Sequence, residues 1–439
     1  MKKTFTVILL GTLIAGCTGY RPGPINSELL KTFEDQNVPP TAPLSADFWD
    51  SCVDDGVLEA ADTVMTWRVP TRGITDQKKS GRCWYFSTTN ILRSEYINRV
   101  HPEGDFYYSW TYGQFYDILE KSNRFLENVI EYRRQPIDSR MNDWLFKKPF
   151  GDGGHWSNAV NLIEKYGLVP LEAMPERYAS TDNATLMGLV RTLNRKWGLA
   201  LRECSRKECQ AVKENALADI YRILVLHLGT PPRSFIWQGR EWTPQEFRDS
   251  TIFHDLRNDY TVLMNDPALP YWKVYEIRDS RNCVEYAPWR YLNVPMETIN
   301  TAGVASLKAG HMFYISADTG KEGLAEAGVY DTRLFRALEL SGIDFSMDKK
   351  ALFQSQEATS LHAVAVAGVR ADSAGEPLSW LIENSFGTVR GWDGFVVMSR
   401  EWMDKYLFRM VVLNEFLPEE VVKMAKSKPK ELPSWHGGY

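Results

Sequence analysis

The clearest chemical signal in the sequence lies in residues 77–84, Gln-Lys-Lys-Ser-Gly-Arg-Cys-Trp. Cys83 stands where apolar spacing predicts that a helix begins, and the unpaired N–H groups of a helix start favour negative charge. We expect this position to lower the pKa of the thiol, whose thiolate is the nucleophilic form. Gln77 supplies an amide donor for an oxyanion beside the thiolate. A cysteine next to a tryptophan is otherwise a buried structural residue, so thiol catalysis requires a base.

His362 is the best candidate for that base. It begins the apolar run of residues 363–368, which predicts a strand with an imidazole at its end. Asn384 ends a second predicted strand, residues 380–384. Two such strands can bring an imidazole and a carboxamide to one rim, where the amide orients the ring toward a thiolate. The pattern therefore predicts a Cys83–His362–Asn384 triad.

The other histidines are weaker candidates. His155 follows a glycine pair and is the alternative cleft residue, and His436 lies near the end of the chain. Four more are interpreted as structural or surface residues: His101, His227, His254 and His311.

The elements that must position these residues change character along the chain. Helical periodicity covers residues 84–100, 106–132, 156–166 and 185–228. Short apolar runs bounded by Gly, Asp or Asn predict strands at residues 311–317, 363–369, 380–384 and 394–399. A helical first half followed by a β-rich second half indicates an α+β fold.

Several motifs together resemble those of papain-like cysteine peptidases, and more narrowly the bleomycin hydrolase and aminopeptidase C branch. The matching blocks run in order over roughly residues 65–439: Gln77 with Gly81-Arg82-Cys83-Trp84, Gly151-Asp152-Gly153-Gly154, Glu164-Lys165-Tyr166-Gly167, Leu361-His362-Ala363 and Glu383-Asn384-Ser385-Phe386-Gly387. Cys83 and His362 lie about 280 residues apart, against about 130–150 in simple papain-type chains, which leaves room for an added domain.

The resemblance implies roles for individual residues. It makes Cys83 the nucleophile, His362 the general base and then acid, Asn384 the orienting group and Gln77 the oxyanion donor. It also implies that Gly153 and Gly154 bind the substrate backbone. A C-terminal arm is expected to lie in the cleft, with the Tyr439 carboxylate or nearby backbone meeting the free amine of the substrate.

The expected organisation follows from this resemblance and from composition. We predict a papain-like fold with these parts: residues 1–17 a lipoprotein signal, 18–65 a tether and N-terminal arm, 66–180 the helical half with the nucleophile, 181–300 a helix-rich insertion, 301–426 the β half, and 427–439 the arm in the cleft. Family resemblance also predicts a homo-oligomer, with a hexamer as the specific expectation.

The first seventeen residues indicate export. Lys2 and Lys3 precede an apolar run that is too short to span a membrane, which needs about 20 residues. Ile14-Ala15-Gly16-Cys17 resembles a bacterial lipobox, in which Cys17 is acylated. We therefore expect a lipid-anchored exported protein, on the outer membrane if the cell is Gram-negative; an ordinary secretory signal is the alternative.

Charge and cysteine usage narrow the function further. The net charge of -5 gives no basic field, so nucleic acid is not an expected partner. Cys204 and Cys209 are close enough in sequence for a local disulfide, but the cysteine spacing lacks the form of a zinc site. We expect no metal and no cofactor.

The predicted function is hydrolysis of N-terminal residues from peptides through a thiol acyl-enzyme. Two alternatives stay open: a thiol endopeptidase or amide hydrolase on the same fold, and a catalytically inactive peptide-binding lipoprotein. The presence of Cys83, His362, Asn384 and Gln77 together argues against inactivity. Fold and triad do not by themselves determine the substrate.

Overall fold

The computed structural model describes residues 25–35, 44 and 46–436. The chain divides into two compact units, residues 1–51 and 52–439. The first carries helix α1, Ser27–Asp35, inside the stretch predicted as a tether. Over the described residues, none of the helices is long and apolar enough to cross a membrane. The predicted signal and Cys17 lie outside the described residues, as does Tyr439.

The second unit has helices on and around one large sheet. Its helices are α2 Asp55–Ala60, α3 Cys83–Val100, α4 Trp110–Tyr132, α5 Arg140–Lys147, α6 Trp156–Tyr166, α7 Tyr178–Thr181, α8 Ala184–Glu203, α9 Cys209–Leu228, α10 Pro244–Thr251, α11 Met296–Lys308, α12 Ala337–Ser341, α13 Lys349–Ser355, α14 Arg400–Tyr406 and α15 Glu419–Ala425. Its strands are β1 Trp67–Arg68, β2 Phe235–Trp237, β3 Arg240–Trp242, β4 Tyr260–Met264, β5 Lys273–Ile277, β6 Arg290–Asn293, β7 Phe313–Ala317, β8 Gly323–Leu324, β9 Val329–Tyr330, β10 His362–Ala371, β11 Pro377–Glu383, β12 Phe395–Ser399, β13 Leu407–Leu413 and β14 Lys430–Leu432. The α+β expectation is confirmed.

Helix α3 covers the residues predicted to be helical, and it is buried on nearly all sides, with polar as well as apolar residues covered. It lies against β10, where the Ser87 hydroxyl donates to the carbonyl of Ala363 at 2.8 Å. The helix ends at Val100, and the next residue, His101, caps it with a left-handed backbone (φ 50°) and an N–H that donates to the carbonyl of Ile97. Packing against the sheet, rather than an amphipathic pattern, therefore places the first residue of this helix.

Helix α6 follows local sequence rules more closely. It covers the predicted residues 156–166, and Gly167 terminates it with φ 78°. A Cβ at Gly167 would lie 2.3 Å from the backbone of Pro244, so only glycine fits both the turn and the close approach.

The main sheet has the strand order β14-β5-β6-β4-β13-β7-β10-β11-β12-β9-β8, and β1 pairs with β10. Strand β10 pairs antiparallel with β7 and β11, with His362 opposite Ala317 and Ala365 opposite Glu383. This register brings the start of β10 and the residue after β11 to the same end of the sheet.

The segment predicted as a helix-rich insertion differs from expectation in its second half. Helices α8 and α9 lie in the stretch that periodicity predicted to be helical, and they pack against each other and against α4. Residues 260–293, by contrast, supply strands β4, β5 and β6 of the main sheet. Their many aromatic residues show no clear period because both faces of these strands are largely covered.

Candidate active site

One cavity collects most of the residues predicted to act on substrate. It has a volume of about 360 Å³, and its lining includes Cys83, His362, Gly153 and Gly154. The strand register and the packing of α3 on β10 bring Cys83 and His362 together. Asn384 is not part of this lining but is hydrogen-bonded to His362, and Gln77 is hydrogen-bonded to Ser385, the residue after Asn384.

Cys83 occupies the first position of α3 and is almost fully buried. The backbones of Ala363, the residue after His362, and of Trp84 favour its thiolate form and so act to lower the pKa of the thiol. Burial nevertheless raises the pKa of the Cys83 thiol to about 11, and the nearby Asp152 carboxylate adds to the rise. The lowered thiol pKa expected from the helix start is therefore wrong for the substrate-free cavity, because desolvation of the thiolate outweighs the backbone donors.

His362 begins β10, and its ring is held on two sides. Its Nε2 lies 2.9 Å from Asn384 Oδ1, and both residues are buried. With Nε2–H donating to the amide oxygen, Nδ1 is left as the acceptor for a proton. Phe386 stacks on the imidazole at 4.7 Å with an interplanar angle of 16°. The structure thus places these residues in the arrangement that orients a general base.

The Cys83 thiol and the His362 imidazole are both neutral in this cavity. Burial lowers the pKa of the His362 imidazole to about 4, while its hydrogen bond to Asn384 acts in the opposite direction. Between about pH 4 and about pH 11, the Cys83 sulfur and the His362 imidazole therefore share one transferable proton, which lies on the sulfur. A thiolate–imidazolium pair then forms by moving that proton within the pair, and charge attraction stabilises the product.

Gln77 is buried beside the triad and is fixed by three hydrogen bonds. Its Oε1 accepts from the Ser385 hydroxyl at 2.7 Å, its Nε2 donates to the carbonyl of Ser80 at 2.5 Å, and its backbone N–H donates to the carbonyl of Ser385 at 2.9 Å. A primary amide has two N–H donors, so a second one is available for an oxyanion. Its role as oxyanion donor stays a prediction.

The glycine loop is held rigidly at the cavity wall. Lys121 donates to the carbonyls of Gly151 and Gly153 at 3.2 and 2.7 Å, and the Trp84 indole donates to the carbonyl of Asp152 at 3.1 Å. A Cβ on Gly154 would lie 2.7 Å from the Trp84 ring, whereas a Cβ on Gly153 would meet open space. Gly154 is thus required for packing, and Gly153 leaves room for a substrate backbone.

The C-terminal arm reaches the same cavity. Strand β14 runs parallel to β5, and the Ser434 hydroxyl then donates to Asp279 Oδ2 at 2.7 Å. The guanidinium of Arg140 covers the Trp435 ring at 5.0 Å. Ser434 and His436 contribute to the cavity lining. The arm is therefore anchored as far as the structure describes it, and is not a frayed end over those residues.

The sequence analysis missed the residues that anchor this arm. Asp279 has a left-handed backbone (φ 62°), and its carbonyl accepts a hydrogen bond from Arg124. Arg278 forms an ion pair with Glu431. Only the tertiary fold brings these residues to the arm, because nothing in the local sequence around residue 279 indicates a partner in the last ten residues.

His155, the alternative base, lines the cavity but is engaged elsewhere. Its Nε2 lies 3.0 Å from the carbonyl of Ser280, and its ring packs on Trp289 at 5.2 Å. Burial, reinforced by the charge of Arg409, lowers the pKa of His155 well below its ordinary value. The structure thus places the orienting amide beside His362 and not beside His155.

Comparison with known proteins gives a consistent match over most of the chain. The Peptidase C1-like family model matches residues 29–437. Aminopeptidase C of Lactobacillus delbrueckii subsp. lactis is 35% identical over 394 residues, covering 85% of this chain and 87% of the relative. Aminopeptidase C of Listeria monocytogenes is 34% identical, with 85% and 87% covered, and aminopeptidase G of L. delbrueckii subsp. lactis is 34% identical, with 87% and 92% covered.

A solved structure agrees with the sequence match. The crystal structure of PepW from Lactobacillus rhamnosis HN001 superposes with a TM-score of 0.88 at 31% identity, covering 94% of this chain and 98% of that one. The agreement extends over both the helical and the β-rich parts of the fold.

Proposed function

The chain belongs to the Peptidase C1-like family as a papain-like cysteine aminopeptidase, and from this premise we propose that it releases N-terminal residues from peptides through a Cys-His-Asn thiol mechanism. The observation that carries this proposal is the shared cavity: Cys83 and His362 line it, and Asn384 holds the ring of His362 at 2.9 Å. The family match supports the type of reaction, and the geometry of the cavity supports these residues.

In the proposed mechanism the thiol proton of Cys83 passes to His362 Nδ1 as sulfur attacks the scissile carbonyl. The oxyanion that forms is stabilised by the free N–H of Gln77 and by backbone donors at the start of α3. His362 then gives its proton to the leaving amine, which leaves a thioester on Cys83. Water, deprotonated by His362, hydrolyses the thioester and restores the neutral pair.

A panel of fluorogenic aminoacyl substrates, with and without a thiol alkylator, tests this mechanism. Cys83→Ala is expected to abolish turnover, and alkylation of the wild type to do the same. Cys204→Ser is the matched control, since its thiol lies outside the cavity lining. Full activity in Cys83→Ala, or turnover of neither aminoacyl nor peptide substrates by the wild type, would contradict the proposal; the second result would favour a peptide-binding protein.

We further propose that the C-terminal arm limits the enzyme to free N-termini. The anchoring of Ser434 on Asp279 and the place of His436 in the cavity lining support this, while Tyr439 lies outside the described residues. Truncation after Leu432 is expected to weaken cleavage of aminoacyl substrates and to allow internal cleavage of N-blocked peptides. A truncated enzyme with unchanged preference for free N-termini would refute the role of the arm.

We propose that the protein is exported and anchored by lipid on Cys17, on the basis of the leader sequence alone. Wild type is expected in the membrane fraction, and Cys17→Ser in the soluble fraction with unchanged specific activity. Equal fractionation of the two would rule out the lipobox interpretation.

Family resemblance also supports a homo-oligomer. Light scattering of the Cys17→Ser protein measures the oligomeric state directly, and a monomer would contradict this proposal.

A further inference from the structure

Three metal-ligating side chains meet at the end of α3 that is remote from the active site. Glu95 lies on α3, about 18 Å along the helix axis from Cys83 at 1.5 Å per residue. His254 follows α10, and His311 stands two residues before β7. Their ligand atoms all lie within 4.8 Å of one another. Three chain segments that are distant in sequence therefore converge on one point.

The closest atoms in this cluster are one carboxylate oxygen and two imidazole nitrogens, all of which can ligate a metal ion. Glu95 Oε1 lies 2.9 Å from His254 Nε2 and 3.3 Å from His311 Nδ1. His254 Nε2 is also 3.3 Å from an Arg99 guanidinium nitrogen, which can only donate; in the tautomer that carries its proton on Nδ1, the Nε2 lone pair faces both Arg99 and Glu95. Within the described part of the chain, Glu95 Oε1 is buried and accepts no hydrogen bond. In that tautomer the lone pairs of Glu95 Oε1 and His254 Nε2 face each other at 2.9 Å, an arrangement that a cation bound by both atoms stabilises.

The spacing fits a late first-row divalent ion. With metal–ligand bonds of about 2.0–2.1 Å, two ligands of a tetrahedral Zn²⁺ lie about 3.3 Å apart. Two imidazoles and a carboxylate are a ligand set that Zn²⁺, Co²⁺ and Ni²⁺ accept. Arg99 is exposed, so its side chain can turn away when a metal takes its place.

The surroundings favour a cation and allow it to enter. Asp259 Oδ2 lies 4.0 Å from His254 Nδ1, on the outer side of the ring, where a carboxylate orients a metal-bound imidazole. The side chains of His254 and His311 are 18% and 23% exposed. His254 also lines an open cavity of about 430 Å³. A hydrated ion thus has a path to the cluster.

We propose that Glu95, His254 and His311 form a binding site for a divalent transition-metal ion, with Zn²⁺ as the natural occupant. The bound ion joins the helix that begins at Cys83 to the strand next to β10 and to the segment after α10. Because the three ligands meet only in the folded chain, the metal stabilises the folded state. The cysteine spacing gave no zinc motif; this site uses histidines separated in sequence.

The test is metal binding by the full-length chain carrying Cys83→Ser, Cys204→Ser and Cys209→Ser, so that accessible thiols do not compete. Equilibrium dialysis measures the stoichiometry for Zn²⁺, Co²⁺ absorption reports the ligand type, and thermal melting measures stabilisation. Variants His254→Ala, His311→Ala and Glu95→Gln remove one ligand each. His227→Ala, at a half-buried histidine on α9, and His362→Ala, in the active site, are the matched controls.

We expect one tightly bound equivalent in the background protein and in both controls, with a metal-dependent rise in melting temperature. Each ligand variant should weaken binding at least about tenfold, the effect that even outer-sphere partners of a metal can have. Glu95→Gln keeps the shape of the side chain, so it supplies the test if an alanine variant does not fold. Absence of binding, equal binding in ligand variants and controls, or loss of binding in His362→Ala alone would overturn the proposal.

Discussion

The hydrogen bond between His362 and Asn384 yields a quantitative prediction for Asn384→Ala. Both residues are buried, and Nε2 lies 2.9 Å from Oδ1. A hydrogen bond to a neutral partner contributes about 0.5–1.5 kcal/mol, and one to a charged partner about 1.5–3 kcal/mol. Only the difference between these two hydrogen-bond strengths affects the rate, because the ring is imidazolium-like in the transition state and neutral before it. This difference is about 1–2 kcal/mol, which corresponds to about 5- to 30-fold in kcat/KM.

The same bond determines the direction of a pH shift. Burial lowers the pKa of His362 to about 4, and the bond to Asn384 raises it, so Asn384→Ala should lower that pKa further. Because the base must be neutral, activity rises with pH through this pKa, and the acid limb of kcat/KM should move to lower pH. Asn384→Asp places a carboxylate beside the ring and should move the acid limb to higher pH.

The assay is a pH profile of kcat/KM on an aminoacyl substrate for wild type and the two variants. Asn300→Ala is the matched control, since Asn300 is also buried and donates to Asp404 Oδ1 at 2.9 Å, on a helix outside the cavity lining. Melting temperatures separate loss of fold from loss of orientation. A kcat/KM for Asn384→Ala within twofold of wild type, or acid limbs that move together, would refute the reasoning.

Three further outcomes follow from other contacts. The sulfurs of Cys204 and Cys209 lie 2.6 Å apart where α8 ends and α9 begins, so oxidation should join them in a disulfide. Mass spectrometry should then show a loss of about 2 Da that dithiothreitol reverses. Two free thiols after oxidation would contradict this prediction. Burial raises the pKa of Glu383 to about 7, although the charge of Arg93 acts in the opposite direction. Because the folded state holds this proton more tightly than the unfolded state does, Glu383 stabilises the fold below its unfolded pKa. That stabilisation is lost as the pH rises toward 7. Between pH 4.5 and 7, urea unfolding of wild type should therefore lose about 3 kcal/mol relative to Glu383→Gln, and parallel pH dependences would disprove it. His155→Ala should retain more activity than removal of the base, because its ring nitrogen bonds the Ser280 carbonyl; equal damage in stopped-flow assays would reverse the assignment.

Much of the site could be predicted from residue types and short motifs. Cys83, His362 and Asn384 each stand at the boundary of an element whose type was predicted from apolar spacing, and Gln77 lies in the loop before α3. Helix α6 and its terminal Gly167 were also predictable, because a left-handed C-terminal residue is a local property of the chain. Local rules of this kind depend on neighbours within a few residues, so the sequence alone expresses them.

The tertiary structure decided what depends on distant neighbours. Residues 260–293 join the main sheet although they lie within a segment predicted to be rich in helices. Strands are stabilised by pairing and packing with other segments, and a local sequence pattern does not record those contacts. The convergence of Glu95, His254 and His311, and the contact of the arm with Asp279, are further examples.

The pKa of Cys83 shows most clearly where sequence reasoning stops. The helix start and its N–H groups were visible in the sequence, and they predicted a lowered thiol pKa. The folded chain raises it to about 11, because the fold removes the sulfur from water. Desolvation is the sum over every atom that excludes solvent from a site, and those atoms come from the whole chain, whereas a helix terminus is built from its own few residues.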